Sequence, residues 1–254
     1  MVVTFSEMSQ KIKAVLDPFD ARIDFAFYLS TNDNQFILHG DQTMPSASVI
    51  KLMIADYYCS NFSIDELKNT QYEIRETVFG AGITPILDEK RFSLADLIMM
   101  MLALSDNTAS NQLIDFIGIE KLSQWISRHY PSTRLSRKFM DFTNPKDNQT
   151  TVYDLAVALT NLMAFPLAKK ALFNQQSLDK FEISFAESGE EKVDFFNKTG
   201  EGIGIDHDAI LFDEKNQKTI AVLLTKYDPK IVSRIEIVDL FSKIGALIWD
   251  NFHD

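Results

Sequence analysis

The sequence predicts an α+β fold: an antiparallel sheet flanked by helices, a helical sub-domain, and a cleft between the two. Segments of strand character fall near both ends of the 254-residue chain. The long middle stretch carries helical spacing and helix-capping signals instead. No internal repeat and no low-complexity linker divides the chain. One domain over residues 1–254 is therefore expected, with its sheet part at about 1–45 and 190–254 and its helical part at about 46–189.

The elements follow in order. From Ser6 to Leu16, the residues Met8, Ile12, Val15 and Leu16 share one helical face, and Asp17-Pro18 stops the helix. Ile23 to Ser30 and Gln35 to Leu38 read as strands joined by the turn Thr31-Asn32-Asp33-Asn34. A helix is expected after Ser48, carrying Val49, Ile50, Leu52, Met53 and Tyr57. A loop follows around Gly80-Ala81-Gly82. Ser93-Leu94-Ala95-Asp96 and Thr151-Val152-Tyr153-Asp154 read as capping boxes, each opening an apolar helix. Another helix runs from Thr108 to about Ile117. Val193 to Asn197, Asp208 to Phe212 and Thr219 to Thr225 form a strand meander, with Asp213 to Gln217 as a turn. The final helix repeats Ile231, Ile235, Val238, Phe241, Ile244 and Ile248 every three or four residues.

Composition bounds the function. The chain is 46% hydrophobic and 24% charged, so a core of ordinary size is within reach. The apolar run Leu97 to Leu104 is too short to cross a bilayer, and no membrane span is expected. A net charge of −11 repels phosphate backbones, so nucleic acid is not expected as a partner. The lone Cys59 allows no intrachain disulfide, which fits a reducing compartment and many exported bacterial proteins alike. The first ten residues show no basic start followed by an apolar stretch, so no signal peptide is expected in them. An internal location, or an external one after removal of a leader, both stay open.

Three short motifs are the candidates for chemistry, and each also has a plain structural reading: an N-cap serine, a helix-ending turn and a strand ending in a solvated turn. Ser48-Val49-Ile50-Lys51 sets a hydroxyl and an amine three residues apart, on one face of a helix start. A serine hydroxyl needs a base beside it, and a lysine serves if burial and nearby positive charge lower its pKa. The apolar helix that follows would bury Lys51. A second copy, Ser177-Leu178-Asp179-Lys180, follows Asn174-Gln175-Gln176 and reads as a solvated polar face. Ser105-Asp106-Asn107 ends an apolar helix; there Ser105 offers a proton-relay hydroxyl, Asn107 an amide for substrate, and Asp106 a support for the turn. Lys198-Thr199-Gly200 follows the strand Val193 to Asn197. Lys198 offers a fixed charge, Thr199 a donor for a carboxylate, and Gly200 a close approach for a ligand.

With these motifs in this order, the chain resembles the class A β-lactamases and the related penicillin-binding D,D-peptidases. The stretch Ser105 to Asn111 and the pair Thr150-Thr151 before a helix are similar too. The resemblance implies that Ser48 is the acylated nucleophile, Lys51 its base, and Ser105 the relay to the leaving nitrogen. It implies that Lys198 and Thr199 anchor a substrate carboxylate, and that the backbone N–H groups of Ser48 and Glu201 form the oxyanion hole. Expected partners are β-lactams and small-molecule or peptide substrates bearing a carboxylate. No cofactor and no metal is expected.

The family's β-lactamases use a loop glutamate to activate the water that releases the acyl group. The corresponding stretch here, Arg134 to Pro145, holds no glutamate. Asp141 is the carboxylate near that place, and a salt bridge to Arg137 that braces the loop is its favoured role; Asp147 is the other candidate partner for Arg137. Efficient β-lactam turnover is therefore doubtful. A D,D-peptidase, an orphan esterase or amidase, or a sensor that traps its ligand covalently are the alternatives, and a glutaminase-like amidase fits less well. Asp206-His207-Asp208 has metal-ligand types, but strand alternation turns His207 away from its neighbours.

Overall fold

The computed structural model describes residues 4–184, 194–214 and 217–253. In chain order the elements are α1 (Phe5–Leu16), β1 (Asp24–Ser30), β2 (Gln35–Leu38), β3 (Met44–Pro45), α2 (Lys51–Asn61), α3 (Ile64–Asn69), β4 (Gln71–Glu73), β5 (Arg91–Ser93) and α4 (Leu94–Ala103). There follow α5 (Asn107–Ile117), α6 (Ile119–His129), β6 (Gln149–Thr150), α7 (Val152–Leu162), α8 (Pro166–Phe173), β7 (Asp194–Gly202), β8 (Ile205–Glu214), β9 (Gln217–Lys226) and α9 (Arg234–His253).

Five strands form one antiparallel sheet in the order β2-β1-β9-β8-β7, joining the two ends of the chain. Asp24 of β1 pairs with Lys226 of β9, and Asp194 of β7 with Asp213 of β8. The α+β architecture expected from the sequence is thus present.

The sheet is covered on both faces, and strand alternation shows how. In β1, Phe25, Phe27 and Leu29 join one apolar cluster with α1 and α9, while Ala26 and Tyr28 join the larger cluster of the helical part. In β8, Ile210 and Phe212 face α9, and Ala209 and Leu211 face the helices. Each fully buried side chain of this size contributes roughly 1.5–3 kcal/mol, which fixes the register of every strand. The same alternation later decides which polar residues face the cleft.

Several local expectations change in detail. The helix after Ser48 begins as a tight 3₁₀ turn, Ala47–Ile50, before α2 starts at Lys51. Ser93 and Asp96 form the expected reciprocal capping box. Thr151 caps α7 through the Asp154 N–H, but Asp154 does not return the bond; its carboxylate accepts from Ser132 N–H and the Thr133 hydroxyl. β8 is longer than Asp208 to Phe212, because its whole length pairs with β9. Val193 and the centre of the turn after Asp213 lie outside the described residues. No single helix among them is long and apolar enough to cross a membrane.

Candidate active site

The site lies where the 3₁₀ turn, the α4–α5 turn and the edge strand β7 meet. Ser46 N–H donates to Asn148 O at 2.8 Å, and Ala47 takes a left-handed φ of 42°, so the chain turns sharply just before Ser48. Ser48 is partly exposed, whereas Lys51 is fully buried. Lys51 Nζ lies 3.0 Å from Ser48 Oγ, 2.7 Å from Ser105 O, 3.2 Å from Ser105 Oγ and 2.8 Å from Asn107 Oδ1. Burial, and then the charge of Lys198, hold the Lys51 amine well below the usual lysine range, although Asp106 opposes them. A neutral amine can accept the Ser48 proton.

Ser105 sits between two lysines. Its backbone takes a left-handed φ of 53°, and Lys198 Nζ donates to Oγ at 3.1 Å. Asp106 supports the turn as expected. One carboxylate oxygen accepts from Ala109 N–H, and the other from the N–H groups of Ile83 and Thr84 and the Thr84 hydroxyl. Asn107, expected to offer its amide to substrate, is engaged at both ends: Oδ1 accepts from Lys51 and Nδ2 donates to Phe79 O at 3.3 Å.

Strand alternation turns Lys198, like Phe196, toward the helical part, and places Thr199 on the opposite face. Because β7 is the sheet's edge, a ligand along that edge can reach both. Burial pulls Lys198 down to about 7, against the favourable field of Asp208, so its charge is conditional and not the fixed one anticipated. Gly200 packs against the turn: an added Cβ would lie 3.1 Å from Val49 Cγ1 and 3.2 Å from Ser48 N. The Ser48–Val49 backbone takes the room expected for a ligand, which brings the Ser48 N–H beside the strand that carries Glu201.

Glu201 turns its carboxylate away from Ser48, onto Lys180 at 2.6 Å and Arg234 at 3.2 Å. The Ser177-Leu178-Asp179-Lys180 copy therefore differs from its expected reading. Lys180 is not solvated; it is fully buried among the carboxylates of Glu201, Asp179 and Asp206. Burial alone would lower its pKa, but the charges of Glu201, Asp179 and Asp208 outweigh it and the pKa is raised.

The loop before β6 also departs from expectation. Arg137 pairs with Asp147 at 2.7 Å, not with the carboxylate of Asp141. The Asp141 carboxylate accepts from Thr143 N–H at 3.0 Å and Thr143 Oγ1 at 2.6 Å, closing a local turn that keeps its pKa low. Asn148 braces the loop through neutral hydrogen bonds, accepting from Ser136 and Arg137 N–H and donating to Arg137 O. The side chain that the loop presents to the site is Phe139. Its ring centroid lies 4.4 Å from Lys51 Nζ, and Asn111 clamps its backbone N–H and C=O. Sequence reasoning missed Phe139, Asn111 and Lys180, since no local spacing signals a contact made across the fold.

Among the described residues no group of three or more His, Cys, Asp or Glu could hold a metal ion. His207 instead accepts from Thr225 N–H, meets Pro45 O at 2.7 Å, and is held by burial at a pKa of about 4.

The site thus joins a hydroxyl on a tight helical turn, a buried lysine beside it and a second serine–lysine pair opposite. The profile of the β-lactamase enzyme family matches residues 7–252, and the chain belongs to that family. No sequence among curated proteins matches it. Among solved structures, it is similar to a β-lactamase from Sphaerobacter thermophilus at TM-score 0.81 and 20% identity, with 99% of each chain covered. A β-lactamase from Xanthomonas campestris gives TM-score 0.82 at 17% identity, over 99% of this chain and 100% of that one. PBP-A gives TM-score 0.80 at 18% identity, over 98% of this chain and 97% of that one, and a point mutant of it, equally similar, is an acyl-enzyme complex with penicillin G. At these identities the likeness speaks for the fold.

Proposed function

We propose that the protein is a serine acyl hydrolase that forms an acyl-enzyme on Ser48 with β-lactams or related amides and peptides. The observation that carries this reading is the Lys51 amine, buried between the Ser48 and Ser105 hydroxyls. Neutral Lys51 takes the Ser48 proton as Oγ attacks the carbonyl carbon. The backbone N–H groups of Ser48 and Glu201 receive the developing oxyanion. The C–N bond then breaks, and the proton passes through Ser105 to the leaving nitrogen. Lys198 and Thr199, at the free edge of β7, seat the substrate carboxylate. A positioned base typically contributes about 10²–10⁴-fold, and an oxyanion donor about 10²–10³-fold.

Release of the acyl group is the weak step. Among the described residues no carboxylate touches Lys51 or Ser48; Phe139 stands there instead, and Asp141 is occupied by Thr143. The geometry favours an acyl-enzyme that lasts for minutes or longer, as suits a peptidase-like enzyme or a covalent sensor. Intact-mass measurement after addition of a penicillin tests both halves: one adduct on Ser48 is expected, with slow loss. Rapid multiple turnover of a chromogenic cephalosporin would refute the slow release.

A further inference from the structure

Behind Thr199, on the face of the sheet turned toward α9, lie two buried carboxyl groups. Asp208 stands directly opposite Thr199 in the β7–β8 pairing, and antiparallel partners share a face. Glu182, on the 3₁₀ turn Phe181–Ser184 that packs against α9, meets Asp208 side chain to side chain. Both side chains are fully buried. No donor group is aligned on any of their four oxygens, and the neighbouring Asn197 Oδ1 lacks a donor too. Two ionised carboxylates cannot share such a site without one taking up a proton, and a single proton also supplies the missing hydrogen bond.

We propose that Glu182 and Asp208 hold one proton between them, and that the single negative charge left on the pair keeps Lys198 cationic, making the pair a positioning device that selects carboxylate-bearing substrates. The claim rests on the reading of Ser48 as the acylated nucleophile.

The charged surroundings support it. Burial raises both carboxyls, and each raises or restrains the other. Asp208 is the largest of the influences that keep Lys198 protonated, ahead of Glu201; burial and Lys180 act against it. Lys51 faces Lys198 from the helical side. Lys180 faces the carboxyl pair from the segment before Glu182, and itself holds Glu201, Asp179 and Asp206. From β9 the residue opposite Asp208 is Leu223, and α9 brings Phe241 and Gly245 against Phe181. If the pair lost its proton, a second charge would appear. If it lost both carboxyls, Lys198 would lose its main support and an anion its seat.

The test compares benzylpenicillin with its neutral methyl ester on the wild type, Glu182→Gln and the double variant Glu182→Gln/Asp208→Asn. The double variant is expected to acylate with benzylpenicillin about tenfold more slowly on the alkaline side of neutrality, the effect of one pKa unit on Lys198. Its rate with the ester should fall less than its rate with benzylpenicillin, since the ester has no carboxylate to seat and loses only the influence of Lys198 on Lys51, and its alkaline limb should move to lower pH. Glu182→Gln keeps the charge on Asp208 and supplies an amide donor, so it should behave as wild type. Infrared spectra should show a buried carboxylic-acid C=O band at neutral pH in the wild type and none in Glu182→Gln, a readout that survives if the double variant does not fold. A folded double variant with wild-type rates and pH profile, a Glu182→Gln as impaired as the double, or a missing band overturns the proposal. A wild type that forms no Ser48 adduct overturns the nucleophile reading and the substrate role together, and the infrared band then decides the shared proton alone.

Discussion

The chain carries Ser-x-x-Lys twice, and the two copies have opposite electrostatics. Lys51 and Lys180 are both fully buried. Lys51 touches hydroxyls, a carbonyl and an amide oxygen, with no carboxylate in contact, and its pKa is depressed. Lys180 touches three carboxylates, and its pKa is raised. Burial alone does not make a lysine a base. What matters is whether compensating charge arrives with it: neutral partners leave an amine that can take a proton, and acidic partners leave a brace.

The largest effect should separate the two serines. Ser48→Ala should abolish the penicillin adduct, and Ser177→Ala should leave it intact; peptide mapping of the adduct to Ser177 would collapse the contrast. Next come the lysines. Lys51→Ala should cut the acylation rate by about 10²–10⁴-fold with normal circular dichroism, since a base is lost. Lys180→Met should act on stability, because removing one member of a buried ion pair costs about 3–5 kcal/mol when its partners are fully enclosed. Glu201 and Asp179 are nearly half exposed, so the fall in melting temperature should reflect the low end of that range or less. An acylation defect in Lys180→Met as large as that of Lys51→Ala, without loss of stability, would contradict the assignment of roles.

A smaller effect should appear in the pH dependence of stability. Native Lys51 titrates well below its unfolded value near 10.5, so between those two values the unfolded chain binds more protons. Stability attributable to Lys51 therefore rises with pH across that window. Lys180, raised above the same value, contributes fully at neutral pH and loses its contribution only as pH rises through its native pKa. Melting temperatures followed from neutral to alkaline pH should rise less, or fall more, in Lys51→Met than in wild type; identical slopes would show that Lys51 is charged in the fold. The smallest effect is expected from Asp141→Asn. Its carboxylate serves Thr143 in an exposed turn, so acyl-enzyme lifetime and melting temperature should both stay near wild type. A marked lengthening of the adduct's life would give Asp141 the water-activating role instead.

The two copies also show how far the sequence could be read. Ser48, Lys51, Ser105 and Lys198 could be found because three motifs stand in the order of a known family; each alone has a plain structural reading, and Lys198 proves to lie inside β7, not beyond a strand ending at Asn197. The sheet from both chain ends was legible because the strand and helix periods differ. Lys180 read as solvated because its run is polar, and the carboxylates that enclose it come from the β7–β8 hairpin and Asp179. Asp147, not Asp141, meets Arg137 because Asp141 is captured two residues away by Thr143, a competition that residue types alone do not settle. Phe139 faces Lys51 because Asn111 fixes its backbone from a helix 28 residues earlier in the chain.

The pairing of Asp24 with Lys226 has a consequence for assembly. β1 is among the first segments made and must wait for β9 before its inner edge is satisfied, while β7, which carries Lys198, also comes late. A chain growing from its N-terminus holds Ser48, Lys51 and Ser105 long before it holds Lys198 or Glu201. Contacts so distant in sequence form slowly, since the intervening loop must be closed before they repay its entropy. The residues proposed for acylation are thus made first, and the strand that carries Lys198 joins them last.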